Sequence, residues 1–178
     1  MHSLLEQMSK GPFDDLQTPP AALGPLVPYL PRRGLIWEPA CGSGNLVREL
    51  SRRGFRVFGS DIMQGERFDF LSWTPRWLDD VSAIVTNPPY SRGMKEKFIK
   101  RCYELGKPWA LLMPITALGG SKREGLWREF GVQLIMLGGR IDFTGSGNCW
   151  YEVMWFTWGL NLPRDIIFGQ MPPQEETK

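Results

Sequence analysis

The residues best suited to chemistry in this chain are Asn87-Pro88-Pro89-Tyr90. They follow Val81-Ser82-Ala83-Ile84-Val85-Thr86, a short β-branched run that reads as a buried strand. Two successive prolines continue neither a sheet ladder nor a helix, so the strand stops at Asn87. A polar amide, two rigid residues and an aromatic face are thereby delivered to the carboxyl edge of a sheet, where open α/β folds hold their ligands. An ordinary strand-ending turn would use the same Asn-Pro start. The chemistry on offer is that of hydrogen-bond acceptors and positioning. Zinc hydrolysis and Ser-His catalysis lack their parts, because His2 is the single histidine.

A second stretch fits a ligand at such an edge. Gly42 and Gly44 lie between a predicted strand, Gly34-Leu35-Ile36-Trp37, and a predicted helix through Leu46, Val47 and Leu50. Strand, glycine turn, helix is the context a nucleotide loop needs, and the absent Cβ atoms let the backbone approach a ligand closely. Phe55 to Ser60 is the next strand and ends at Asp61, seventeen residues beyond Gly44. That is near the ~20 expected of an acid that binds ribose hydroxyls, a local turn cap being the other use of such an aspartate.

The elements that must hold these residues follow from pattern. Thr18-Pro19-Pro20-Ala21-Ala22-Leu23 predicts a helix start, with Thr18 as N-cap and Pro19 at the first helical position. Leu23, Leu26, Val27 and Leu30 would lie on one side of that helix, with Gly24, Pro25 and Pro28 shortening or kinking it. The stretch between Asp61 and Val81 is too short for a full β-α-β crossover, and Trp73 and Trp77 within it read as core. Arg92 to Leu105 predicts a helix with Phe98, Cys102 and Leu105 inside, ended by Gly106; a strand follows at Trp109–Pro114. Lys122 to Phe130 predicts a second helix with Leu126, Trp127 and Phe130 inside. A strand at Gln133–Leu137, a glycine-bearing loop through Asn148 and an antiparallel closing strand at Trp150–Trp158 complete the pattern.

The whole is one α/β domain over residues 12–160, with a flexible start at 1–11 and a tail at 161–178 that leaves the domain. At 42% hydrophobic and 22% charged, the chain has a globular composition. Its net charge of +2 is undiagnostic, yet nine basic residues stand against three acidic ones between Arg92 and Arg128. That local excess either faces phosphates or coats solvated helices. Cys41, Cys102 and Cys149 are odd in number and far apart, which suggests neither a disulfide framework nor a metal site and fits a reducing cytoplasm. No apolar run reaches the ~18 residues of a membrane span, and Met1 to Lys10 has no hydrophobic signal core, so a soluble protein without membrane contact is expected.

Asn87-Pro88-Pro89-Tyr90 resembles motif IV of the S-adenosylmethionine-dependent methyltransferases that modify exocyclic or amide nitrogens, above all the DNA adenine-N6 family. Glu38-Pro39-Ala40-Cys41-Gly42-Ser43-Gly44 resembles motif I, Thr18-Pro19-Pro20 motif X and Phe68-Asp69-Phe70-Leu71 motif III. The order, over roughly Thr18 to Trp158, resembles the γ arrangement, and phage or prophage enzymes are of this kind. The resemblance implies a Rossmann-like methyltransferase fold, a mostly parallel sheet with one antiparallel strand. It implies S-adenosylmethionine as cofactor, held by Thr18, Pro19, Glu38, Ala40, Gly42, Gly44, Asp61, Ile62, Asp69, Phe70 and Asn87. Glu38 would sit near the positive end of the cofactor, Asp61 at the ribose, and Ile62 and Asp69 at the adenine.

Such an amine has a delocalised lone pair and is a poor nucleophile until its hydrogens are drawn out of plane. The Asn87 side-chain oxygen and the Pro88 carbonyl each accept one N–H, Pro89 keeping the backbone extended. Tyr90 would stack on the base through its ring face, its hydroxyl unused. Lys95, Lys97, Lys122, Arg123 and Trp150 are the remaining substrate-side candidates, with Phe143 and Tyr151 beside Trp150 in a hairpin resembling motif VIII. One departure matters: no stretch is long enough for a target-recognition domain. Reading of bases then falls to the loops around 92–97, 121–124 and 144–150, to a second copy or to a separate specificity partner. DNA is the expected partner. The same tetrapeptide serves methyltransferases of rRNA or tRNA amino groups and of a release-factor glutamine. A non-catalytic cofactor-binding subunit is the reading from another class; Asn87 and Tyr90 would be superfluous there.

Overall fold

The computed structural model describes residues 18–91, 93–141, 143 and 152–170. Its seven strands are β1 (Leu35–Glu38), β2 (Val57–Gly59), β3 (Val81–Thr86), β4 (Trp109–Pro114), β5 (Gln133–Met136), β6 (Val153–Trp158) and β7 (Ile166–Phe168). They form one sheet in the order β2-β1-β3-β4-β6-β5-β7. Only β6 runs against its neighbours, pairing Pro114 with Val153 on one side and Met136 with Met154 on the other. The expected α/β sheet, mostly parallel with one antiparallel strand, is the one that forms. Three helices, α1 (Asn45–Arg52), α2 (Met94–Leu105) and α3 (Ser121–Phe130), join it among the described residues.

Alternation along the strands sorts the core into two layers. Ile36, Ala83, Val85, Ala110, Leu112 and Trp155 face one side of the sheet; Trp37, Ile84, Trp109, Leu111, Met113 and Phe156 face the other. Burial on both faces is why β3 and β4 read as unbroken apolar runs. Leu46 and Leu50 of α1, spaced one turn apart, cover the first layer together with Leu23 and Leu26. Phe98, Ile99 and Cys102 of α2 cover the second.

The abbreviated crossover after β2 holds no α-helix, only short 3-10 turns. Aromatic side chains take the helix's place: Phe70, Trp73 and Trp77 all pack edge-on against Trp37, at centroid distances of 5.3, 5.7 and 5.6 Å. Such pairs each add about 0.5–1.5 kcal/mol beyond the area they bury, so a few large rings do the work of an amphipathic turn. Arg101 of α2 fastens this segment, donating to the Phe70 carbonyl, the Trp73 carbonyl and the Thr74 hydroxyl at 3.2, 3.1 and 2.7 Å. Arg101→Met keeps the aliphatic stem and strands the two part-buried carbonyls, while the exposed Thr74 hydroxyl turns to water. It is expected to lower stability in urea by about 1.5–3 kcal/mol; an unchanged midpoint would show that Arg101 is an ordinary surface cation.

Three expectations are corrected. Thr18 does not cap a helix. Instead 3-10 turns form at Pro20–Leu23 and Val27–Tyr29, and the cap position of the first is Pro19, with extended backbone and no side-chain bond. Pro25 and Pro28 cannot donate to the preceding turn, which prevents α-helix from propagating. The segment is fixed to the sheet by the Trp155 indole, which donates to the Ala22 carbonyl at 2.8 Å. Phe130, expected inside, is 42% exposed at the end of α3, although it stacks on Tyr103 at 4.6 Å. Residues 161–168 do not leave the domain. Leu162 is buried, and β7 pairs in parallel with β5 through Leu134 and Ile166, Ile135 and Ile167, Met136 and Phe168. The Gln133 carboxamide bridges the two, accepting from the Leu162 N–H and donating to the Leu162 and Arg164 carbonyls. Pro163 and its charged neighbours disguise a strand that extends the sheet beyond β5. Residues 1–17 and 171–178, Arg92 and the stretch 144–151 with Trp150 and Tyr151 lie outside the described residues.

Candidate functional site

Strands β1, β2, β3 and β4 end at one edge of the sheet. From β1 the chain passes through α1 to β2 on one side, while β3 lies on the other, so a crevice opens between the ends of β1 and β3. Every residue singled out in the strand-ending motifs comes to this edge.

The turn after β1 uses left-handed backbone at Gly42 (φ 49°) and Gly44 (φ 85°), and Gly44 caps α1. A Cβ on Gly44 would lie 3.2 Å from the Arg48 guanidinium, which itself donates to the Ser43 carbonyl at 2.6 Å. Asp61, at the end of β2, does two things at once. Its Oδ2 accepts from the Gly42 N–H and its Oδ1 from the Met63 N–H, both at 2.9 Å, while the Gln64 side chain returns to the Asp61 N–H. This is a capping box that also ties the glycine turn to β2. Each carboxylate oxygen retains a lone pair, so the local cap and a hydroxyl ligand are compatible uses. Gln64 was legible as the fourth residue of Asp-x-x-Gln but was missed. Ile62 follows, half-buried, on the same turn. Cys41 stands in the turn with its thiol pushed up to about 11 by burial and by the Glu38 and Asp61 charges, so it is protonated at neutral pH and offers no thiolate.

Glu38 is the most unusual group. It is 2% exposed at the last position of β1, and its Oε2 is buried without a partner. The Thr86 hydroxyl and the Asn87 backbone N–H both face the carboxylate, and the Thr86 hydroxyl is itself left without a hydrogen-bond partner. Burial raises the Glu38 pKa well above the carboxylate range, and the charge of Asp61 adds to this; the nearby Thr86 hydroxyl first, and then the Asn87 N–H, oppose it only in part. Among the described residues no cation is paired with this buried acid, so a positively charged group brought to it would find a partner and favour its ionised form.

Across the crevice, Asn87 is half-buried and Pro88 buried. The Tyr90 ring packs partly into the second core layer, and its hydroxyl reaches the Asn87 Oδ1 at 2.6 Å and the Leu112 carbonyl at 3.0 Å. Lys95, expected on the substrate side, donates its Nζ to the Tyr90 carbonyl at 2.7 Å and lies 5.8 Å from the ring centroid. Arg123, likewise expected there, is 17% exposed, pairs with Glu96 and donates to the Ala117 carbonyl at 2.9 Å. Both are supports of the loops around the tetrapeptide. Lys97 and Lys122 are exposed. The presumed basic face is thereby divided, since Arg101 holds the crossover and Arg128 pairs with Glu124. Asp69 caps its own turn, accepting from Leu71 N–H at 3.0 Å, and Phe70 is buried against Trp37, so its ring serves the core. Thr18 is buried, Pro19 and Ala40 are half-buried, and Phe143 packs against the first core layer. No group of three metal-ligating side chains and no helix long and apolar enough to cross a membrane occurs among the described residues.

No protein-family model and no curated protein sequence matches the chain. Solved structures do. A Listeria monocytogenes protein assigned to the class I S-adenosylmethionine-dependent methyltransferases is similar at 15% identity and a TM-score of 0.59, over 94% of this chain and 69% of its own. The modification subunit assigned to a type I restriction enzyme of Vibrio vulnificus gives 15% and 0.51. The M protein of the type I restriction enzyme EcoKI gives 17% and 0.50. This chain is covered to 86% in both comparisons but spans only 46% of either subunit. The fold is the Rossmann-like fold of S-adenosylmethionine-dependent methyltransferases.

Proposed function

We propose that the chain transfers a methyl group from S-adenosylmethionine to the exocyclic N6 amine of adenine in DNA. The observation that carries this reading is the pair of acceptors at Asn87 and Pro88, set at the end of β3 directly beside the orphaned Glu38 carboxylate at the end of β1. A cationic ligand on Glu38 and an amine on Asn87 would be neighbours across the crevice. The residues fit the cofactor: Glu38 would face its charged end, the Gly42–Gly44 backbone would lie along it and Asp61 would meet its ribose. When bound it supplies an electrophilic methyl on a sulfonium. The chain's own part is positional. Asn87 Oδ1 and the Pro88 carbonyl take one N–H each, which turns the amine lone pair toward the crevice, and the developing positive charge on nitrogen strengthens both bonds. No histidine is needed for this.

Adenine in DNA is chosen over other amines by the order of motifs along the chain, and the likeness of fold to two restriction-system modification subunits agrees with it. Target reading falls to Lys97, Lys122 and the adjoining loops, to a second copy or to a specificity partner. The test is transfer from methyl-labelled cofactor to duplex DNA, single-stranded DNA, RNA and protein, followed by digestion. Label on adenine N6 is expected. Label on RNA or on a glutamine amide would replace the substrate and keep the chemistry, and a folded protein that labels none of them would overturn the reading.

Gly44→Val tests the cofactor side. A β-branched residue at φ 85° is strained, and its Cβ would crowd the Arg48 guanidinium at 3.2 Å, so the turn would have to shift. Calorimetry should show cofactor affinity lowered by about tenfold or more in a protein that remains folded, since one strained residue costs only about 1–3 kcal/mol. Wild-type affinity in folded Gly44→Val would remove the glycine turn from the site.

A further inference from the structure

We propose that the Tyr90 hydroxyl, in addition to any use of the ring, is a positioning group that fixes the Asn87 carboxamide by bridging it to the open end of β4; the proposal rests on the reading of the site given above.

The need for such a bridge arises in the sheet ladder. Ile84 N–H donates to the Pro108 carbonyl at 2.8 Å, and β3 and β4 stay in register to Thr86 and Leu111. The two-residue period of a parallel ladder therefore assigns the N–H of residue 88 to the Leu112 carbonyl. Residue 88 is proline and has no N–H. The acceptor is met instead by Tyr90, which the Pro88-Pro89 turn folds back so that its hydroxyl lies 3.0 Å from the Leu112 oxygen and 2.6 Å from Asn87 Oδ1. The other end of the tyrosine is also held, by Lys95 Nζ on its carbonyl at 2.7 Å.

A hydroxyl carries one proton, so the two acceptors share it. That sharing suits a site whose amide must receive a new donor. When a target N–H is given to Asn87 Oδ1, the Tyr90 proton stays with Leu112, whose carbonyl has no backbone donor among the described residues, and the carboxamide keeps its orientation. With phenylalanine at 90 the ring remains, but Asn87 Oδ1 and the Leu112 carbonyl both lose the hydroxyl that bridges them. A hydroxyl needed for position separates from a ring needed for stacking in this one substitution.

Tyr90→Phe is expected to lower the single-turnover transfer rate by about 10- to 100-fold, the range for small misplacements of a reacting group. Cofactor affinity and the KM for DNA should stay within about twofold, because neither binding surface is cut back. In an Asn87→Ala background, Tyr90→Phe should add nothing, since the hydroxyl acts through the carboxamide. A wild-type rate in Tyr90→Phe, or an equal further loss in the double variant, overturns the proposal. A readout independent of activity accompanies it. The side-chain 15N–1H pair of Asn87, identified by its disappearance in Asn87→Ala, should shift in Tyr90→Phe while other carboxamide pairs stay in place. An unmoved pair overturns the proposal whatever the enzyme does; a moved pair in a protein that methylates nothing would retire only the functional reading.

Discussion

Asn87→Ala is expected to lower the rate of methyl transfer by about 10²–10³-fold, the cost of removing one acceptor whose bond strengthens as charge develops in the transition state. The loss should appear in a single turnover, where product release does not enter, and cofactor affinity should change by no more than about threefold. The structure explains why the substitution is so selective. The Asn87 backbone N–H that faces Glu38 is retained by alanine, so the Glu38 side of the crevice should be left in place. Tyr90 loses one partner and keeps the Leu112 carbonyl at 3.0 Å, so no buried hydroxyl is orphaned and the fold should hold. Thr86 and Val85, buried just before, are untouched. A wild-type single-turnover rate in Asn87→Ala would sink the proposed mechanism. A parallel loss of cofactor affinity would instead mean that Asn87 belongs to the cofactor side alone.

What the sequence made legible follows from how local each signal was. The strands of the two-faced core could be read because burial on both sides leaves long apolar runs, as at β3 and β4, and because Pro88-Pro89 can end a strand in only one way. The glycine turn was legible because Gly42 and Gly44 require left-handed backbone there. Signals that depend on distant partners were not. Arg101, Arg123 and Lys95 counted in sequence as cations available to phosphate, yet all three bond to carbonyls 5 to 31 residues away, Arg101 also to the Thr74 hydroxyl and Glu104, and Arg123 also to Glu96. Net charge along a chain says nothing about which charges the fold has used. β7 was hidden for a related reason: Ile166 to Phe168 is too short to announce itself, and only the side of β5 left open by β6 gives it a place. The Tyr90 hydroxyl was expected to be unused, because its partner Leu112 lies on another strand.

Glu38→Gln should weaken cofactor binding by about 10- to 100-fold and, in the free protein, raise stability at alkaline pH. Both effects have one origin. The free carboxyl is buried with an unpartnered oxygen beside Asp61, and burial first, then that neighbouring charge, lifts its pKa well above the unfolded value of about 4.3. The folded state thus holds this proton more tightly than the unfolded chain does. Its stabilising contribution is fully present below about pH 4.3 and is lost as pH rises through the folded pKa, because the ionised group must then stay buried without a cation. Glutamine, neutral throughout, removes this dependence, so the denaturation midpoint of Glu38→Gln should meet that of the wild type in acid and exceed it in alkali. Other groups facing Glu38 do not reproduce the effect: Cys41 titrates only near 11, and Asp61 is retained in both proteins. Cofactor binding reverses the balance, since a cation beside Glu38 favours its carboxylate and a charge-assisted contact is worth about 1.5–3 kcal/mol. Calorimetry in two buffers of different ionisation enthalpy should therefore detect proton release on binding by the wild type below the folded pKa, approaching one proton, and none attributable to this site in Glu38→Gln. Equal affinities and equal proton release in the two proteins would separate Glu38 from the cofactor and leave its burial as a cost to the fold alone.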